Sequence, residues 1–202
     1  WGRKLALTCV KIMLAAVVGI GICGVAAGIG VFRGILSSTP TIRLSDVVAV
    51  GEATIVYDKE GNEIDQYVST NSNRLSVGMD EIPDYLGKAF VAIEDQRFYQ
   101  HNGIDVKGIL RAGYQFLKTG GEEAQGASTI TQQLLKNTVF TDWTSEGDNK
   151  IKKIKRKIQE QYLALEITKY YSKDEILLRY MNAINLGQNT LGVESASLRY
   201  FG

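Results

Sequence analysis

From Ile12 to Phe32 the chain reads IMLAAVVGIGICGVAAGIGVF, twenty-one residues without a charge. About 20 helical residues cross the hydrocarbon core of a bilayer, so the run is long enough for one crossing. Its many Gly and Ala residues suit a membrane helix better than a soluble one. The apolar part of a cleaved signal peptide is shorter, about 7–15 residues. An uncleaved anchor over 12–32 is therefore expected. Arg3, Lys4 and Lys11 precede it. The positive-inside rule then puts residues 1–11 in the cytoplasm and everything after Phe32 outside. Both cysteines, Cys9 and Cys23, sit in or beside the anchor. The exported part therefore needs no disulfide.

The remaining chain has enough Leu, Ile, Val and Phe for a core. The net charge of +1 excludes a strong global field, so nucleic acid is not the expected partner. The chain opens on Trp1 rather than Met, which suggests a piece of a longer protein. Residues 33–50 are polar, contain a Pro and read as a linker. In ATIVYDKEGNEIDQYV two β-branched runs flank DKEGN, which predicts a hairpin. After Pro83 the spacing turns helical, with Tyr85, Leu86, Ala89, Phe90 and Ile93. Asp105 can cap a helix carrying Ile109, Leu110, Tyr114 and Leu117. Lys118 to Gln125 reads as a loop and Ser128 as the start of the next helix. A helix from about Lys150 to Tyr170 follows. Ser172 with Glu175 forms a capping box for another, with Ile176, Leu177, Tyr180, Met181 and Ile184 facing inward. The expected fold is mainly α, with a small β-hairpin, over residues 51–202.

Three segments gather chemistry. VAIEDQRFYQHNGID holds Glu94, Asp95 and the chain's one histidine, His101. A carboxylate at a helix C-terminus meets the negative end of the dipole, so stability alone would not place one there. A partly desolvated Glu is a good general base, whereas a solvated surface pair is the bland alternative. His101 lacks the companions a zinc site needs and is expected to hydrogen-bond a loop backbone, holding the Glu94 segment. GASTITQQLLKN offers Ser128, Thr129, Gln132, Gln133, Lys136 and Asn137 at a helix start, suited to anions or sugars, or merely an N-cap. KIKKIKRKIQE crowds Lys150, Lys152, Lys153, Lys155, Arg156 and Lys157 ahead of Glu160. It reads as a solvated basic face or as a phosphate-binding edge close to anionic lipid headgroups. Arg156 and Glu160 are spaced to pair on one helix face. Together these imply a sugar substrate with phosphate, resident in the membrane, and do not separate a polymerase from a hydrolase.

The pattern resembles the peptidoglycan glycosyltransferase domain of class A penicillin-binding proteins and their monofunctional relatives. EDxxFxxHxG matches Glu94, Asp95, Phe98, His101 and Gly103. GxSTITQQ matches Gly126 and Ser128 to Gln133, and RKxxE matches Arg156, Lys157 and Glu160. KxxxxxxYxN matches Lys173, Tyr180 and Asn182, and GxExAxxxYFG matches Gly192 to Gly202. Leu178 departs from the Glu usual in the family, and the family's domain continues beyond the last motif.

The resemblance implies a lysozyme-like helical fold with a small membrane-embedded lobe. It implies polymerisation of lipid II onto a glycan chain held on undecaprenyl pyrophosphate, with inversion at the anomeric carbon. Glu94 would be the base and Glu160 the second catalytic carboxylate. Asp95, Phe98, His101, Ser128, Thr129, Gln132, Gln133, Lys136, Asn137, Arg156, Lys157 and Asn182 would bind substrate. No cofactor is obligatory on this view, with Mg2+ or Mn2+ near Glu160 as an option. Partners would be the bacterial cytoplasmic membrane, a transpeptidase domain and other cell-wall synthesis proteins. A membrane-anchored glycoside hydrolase is the runner-up, and a precursor-binding module the third alternative.

Overall fold

The computed structural model describes residues 1–68, 73–120, 126–140 and 149–202. It divides into two units, Trp1–Pro40 and Thr41–Gly202. The first unit is one helix, α1 (Gly2–Ser37), 36 residues long. It is long and apolar enough to cross a membrane and no residue of it is buried. The helix outruns the charge-free stretch at both ends, taking in the basic flank and the start of the expected linker. Nothing in either border, neither Pro nor a left-handed glycine, stops the turn-by-turn hydrogen bonding before Ser38.

In the second unit the expected hairpin forms. β1 (Thr54–Tyr57) and β2 (Glu63–Tyr67) run antiparallel, with Thr54 opposite Tyr67 and an irregularity between Val56 and Tyr57. The turn closes because the Asp58 carboxylate accepts from the Asn62 backbone N–H at 2.8 Å and from its side-chain amide at 2.9 Å. Among the described residues six helices follow, and Pro83 opens the first of them, α2 (Asp84–Glu94). Then come α3 (Val106–Lys118), α4 (Ile130–Thr138), α5 (Lys150–Ile167), α6 (Lys173–Ala183) and α7 (Val193–Phe201). The expected 118–125 loop begins as predicted after Lys118, but 121–125 lie outside the described residues.

The core is built around the short helix α4. Its Ile130, Leu134 and Leu135 are fully buried among Leu163, Ala164 and Ile167 of α5 and Ile176, Leu177, Tyr180 and Met181 of α6. Such burial contributes about 1.5–3 kcal/mol for each large apolar side chain. The Ser172–Glu175 capping box predicted for α6 is present, with Ser172 Oγ accepting from the Glu175 N–H at 3.2 Å. The cap of α4 falls on Thr129 rather than Ser128. Thr129 Oγ1 accepts from the Gln132 N–H at 3.2 Å, and Gln132 Oε1 accepts from the Thr129 N–H at 2.9 Å. That reciprocal box is available only to Thr129, which stands three residues before a glutamine whose side chain is buried.

α3 behaves differently from the other helices. Only Gly108 is buried, while Val106, Leu110, Tyr114 and Leu117 stand exposed in a stripe. The helix spacing was legible; the direction of its apolar face was not.

Two glycines are fixed by close approach. Gly103 has φ +91°, and a Cβ there would meet the Ala164 carbonyl oxygen at 2.2 Å. Gly192 has φ +85°, with the Asn182 carbonyl oxygen 2.9 Å from its Cβ position. They let the loop after α2 lie on α5 and the start of α7 lie on the end of α6.

Candidate active site

The spacing predicted a helix ending near Arg97, but α2 stops at Glu94, whose side chain is exposed. The desolvation expected for it is therefore absent. It is instead held by a hydrogen bond: Gln133 Nε2 donates to Glu94 Oε2 at 2.9 Å. Behind Gln133, the Tyr180 hydroxyl donates to Gln133 Oε1 at 3.2 Å.

The adjacent carboxylate has the opposite fate. Asp95 was expected to bind substrate, but it is only 7% exposed. It ends α2 and ties two other segments to it. His101 Nε2 lies 2.9 Å from both Asp95 oxygens, and Oδ2 also accepts from the Ile130 N–H at 3.1 Å. An acceptor at the first turn of α4 meets unpaired N–H groups and the positive end of the dipole. So Asp95 locks the end of α2 onto the start of α4, and His101 works through this carboxylate rather than through a loop backbone. Thr129 adds a second lock, donating from Oγ1 to the Gly103 carbonyl at 2.6 Å.

Glu94 lines a cleft of about 380 Å³ with Arg97, Asp105, Arg111 and residues 126–129. Asp105 caps α3 without a side-chain cap bond, because Arg97 takes its carboxylate at 3.2 and 2.5 Å. That guanidinium holds the Asp105 carboxyl below the usual range. Ser128 also borders a second cleft of about 470 Å³, shared with Gln132, Gln133, Lys136, Asn137, Lys153, Lys157 and Glu160. The two clefts therefore meet at Ser128, with Glu94 on one side and the lysines on the other.

Glu160 is buried, and burial pushes its carboxyl above the ordinary range, against the opposing pull of Lys157 and then Lys136. The pairing predicted with Arg156 is not the one formed. Lys157 Nζ reaches Glu160 Oε1 at 2.5 Å and Ser128 Oγ at 2.8 Å. Positions three and four apart share a helix face equally well, so sequence spacing alone could not choose between Lys157 and Arg156. Arg156 is half-buried on the same helix and does not line the second cleft.

Like Asp95 and His101, two more residues expected to touch substrate are structural supports. Phe98 is fully buried, edge-on to His101 with ring centroids 6.3 Å apart, and Lys173 Nζ lies 4.4 Å from its centroid. Asn182 spends its amide on the Val77 backbone, accepting from N–H at 3.0 Å and donating to the carbonyl at 2.9 Å. Lys153 and Tyr180 belong to the site and were not singled out as site residues. Lys153 stands four before Lys157, a spacing that could have revealed it. Tyr180 is buried and acts only across a tertiary contact.

The donor set suits anions better than a resident cation. Among the described residues no three His, Cys, Asp or Glu side chains gather where a metal could sit. One oxygen of Glu160 is already taken by an ammonium group. Mg2+ and Mn2+ prefer several oxygen ligands, which this corner does not supply.

The sequence matches the transglycosylase family over residues 60–202, and the chain belongs to that family. It is 42% identical to penicillin-binding protein 1A of Clostridium perfringens strain 13 over 190 residues, 91% of this chain and 27% of the relative. It is also 42% identical to penicillin-binding protein 1A of Clostridium botulinum strain Langeland, over 89% of this chain and 21% of the relative. Penicillin-binding protein 1A/1B of Bacillus subtilis strain 168 is 38% identical over 90% of this chain and 18% of its own length. The chain thus spans about a fifth to a quarter of the length of these curated relatives.

Proposed function

We propose that this domain is a peptidoglycan glycosyltransferase that polymerises glycan chains from lipid II. What supports this reading above all is the junction at Ser128, where a cleft holding an exposed carboxylate opens onto a corner of lysines. Membership of the transglycosylase family gives the reaction class.

The acceptor is lipid II, and its sugar 4-hydroxyl lies against Glu94. The hydroxyl oxygen bonds to the anomeric carbon of the donor glycan, and its proton passes to Glu94. The bond from that carbon to pyrophosphate breaks with its electron pair. Configuration inverts, and undecaprenyl pyrophosphate leaves. Lys136, Lys153 and Lys157 offset the charge growing on the pyrophosphate, with Arg156 nearby on α5. Glu160 holds Lys157 in place, so it acts through the lysine rather than on the sugar. A hydrolase cutting neutral glycosidic bonds has no use for three lysines.

Placement follows the same chemistry. Arg3, Lys4 and Lys11 favour an N-terminus inside the bacterial cytoplasmic membrane, with α1 as a single-pass anchor and the catalytic unit outside. The exposed stripe Val106, Leu110, Tyr114 and Leu117 suits the lipid boundary, where the substrate's tail must lie. Whether a transpeptidase domain works beside it in the whole protein belongs to the same proposal.

The test is polymerisation of labelled lipid II by detergent-solubilised protein, with Glu94→Gln alongside. Polymer made by wild type and lowered about 10²–10⁴-fold in the variant is expected. Cleavage of preformed glycan without polymer would point to the hydrolase, and precursor binding with neither activity to a binding module.

A further inference from the structure

We infer that Tyr180 is a positioning residue for the transfer: its buried hydroxyl holds the far end of the Gln133 amide, whose near end anchors one oxygen of Glu94, and so steadies the carboxylate that takes the proton. This rests on the reading of Glu94 as the base. Tyr180 is fully buried, so it cannot touch a sugar and must act through another group.

The chain of donors runs one way. A carboxylate only accepts, so the end of Gln133 that faces Glu94 must be the amino group. The carbonyl end then needs a donor of its own. The Tyr180 hydroxyl supplies it, 3.2 Å from Gln133 Oε1, while Gln133 Nε2 sits 2.9 Å from Glu94 Oε2. A glutamine amide has almost the same shape either way round, and only its two partners decide its direction. The flipped amide would turn its carbonyl toward the Glu94 carboxylate, two acceptors face to face, so the carboxylate sets the direction and the hydroxyl holds the amide in place. The bond to Oε2 leaves Oε1 without that partner.

Packing fixes the distances. Tyr180 lies on α6, and its ring meets Phe90 of α2 edge-on, with centroids 5.7 Å apart and planes at 87°. Phe90 is one helical turn before Glu94. The same side chain thus holds α2 by its ring and the end of α2 by its hydroxyl. Burial, and next the Glu94 charge, push the Tyr180 phenol up, so the hydroxyl keeps its proton and stays a donor through the working pH range.

The experiment uses the full chain in detergent with labelled lipid II. Tyr180→Phe keeps the ring and removes the donor. Its kcat should fall about tenfold, the loss of one hydrogen bond that orients a charged partner. KM should stay within about twofold, because Tyr180 touches no substrate. Gln133→Met removes the relay from the other side and leaves the core untouched. Adding Tyr180→Phe to Gln133→Met should cost no more than about twofold further, since the hydroxyl then has no amide to hold. Melting temperature, read on each variant, should stay within about 3 °C of wild type for Tyr180→Phe.

A Tyr180→Phe enzyme with wild-type kcat overturns the inference. So does an equal loss in both backgrounds, or a loss confined to KM. The two readings fail separately. Full turnover by Glu94→Gln removes the base itself, whereas an inactive Glu94→Gln beside a fully active Tyr180→Phe removes only the relay.

Discussion

Replacing Lys157 with Met deprives Glu160 of its closest positive partner without opening a large cavity. Glu160 is 3% exposed, and its carboxylate accepts from Lys157 Nζ at 2.5 Å. Leaving a buried charged acceptor unpaired costs about 1–3 kcal/mol. The Lys157 side chain is 41% exposed, so solvent already screens the pair. The lower half of that range, about 1.5 kcal/mol, is therefore expected. In a unit of this size it lowers the melting temperature by about 3–6 °C.

The pH dependence has a definite sign. Burial raises the Glu160 carboxyl above its ordinary 4.5, while Lys157 pulls it down. A raised folded value means that the folded state binds the proton more tightly than the unfolded one. Stability from this group is then lost as pH rises through the window between the ordinary and the raised value. Without Lys157 the carboxyl rises further. The melting deficit should be full near about pH 8 and shrink toward about pH 5, as Glu160 takes up its proton. Circular-dichroism melts of the detergent-solubilised chain at both pH values read it, and Glu160→Gln added to Lys157→Met should remove the pH dependence. A Lys157→Met protein that melts with wild type at about pH 8, or with the same deficit at both, would refute the pairing.

Asp95→Asn should weaken the lock between α2 and α4, costing about 2 kcal/mol; melting and lipid II turnover should fall together, and a stable, fully active variant would contradict the lock. Gly103→Ala should cost at least about 2 kcal/mol, since a left-handed residue gains a Cβ against the Ala164 carbonyl; an unchanged melt would mean that the loop relaxes freely.

What was legible in the sequence was local. The Asp58–Asn62 turn and the Ser172–Glu175 box are each set by residues within four positions of one another. What escaped was set by contacts across the chain. Asp95 was read as a substrate ligand because its partner, the Ile130 N–H, lies 35 residues away. Asn182 was read as a ligand because nothing in its neighbourhood shows that Val77, 105 residues earlier, satisfies its amide. The apolar stripe of α3 was visible as a period, but a period does not say whether protein or lipid covers it. The choice of Lys157 over Arg156 for Glu160 depended on side-chain direction rather than on spacing.

The central claim is that Glu94, presented at the end of α2 beside a lysine-lined corner, is the base of a lipid II polymerase. Labelled lipid II given to wild type and to Glu94→Gln, with products separated on a gel, tests it most directly. A ladder of glycan polymers from wild type, lost in the variant while lipid II still binds, is the predicted result. A ladder of equal strength from Glu94→Gln would contradict it.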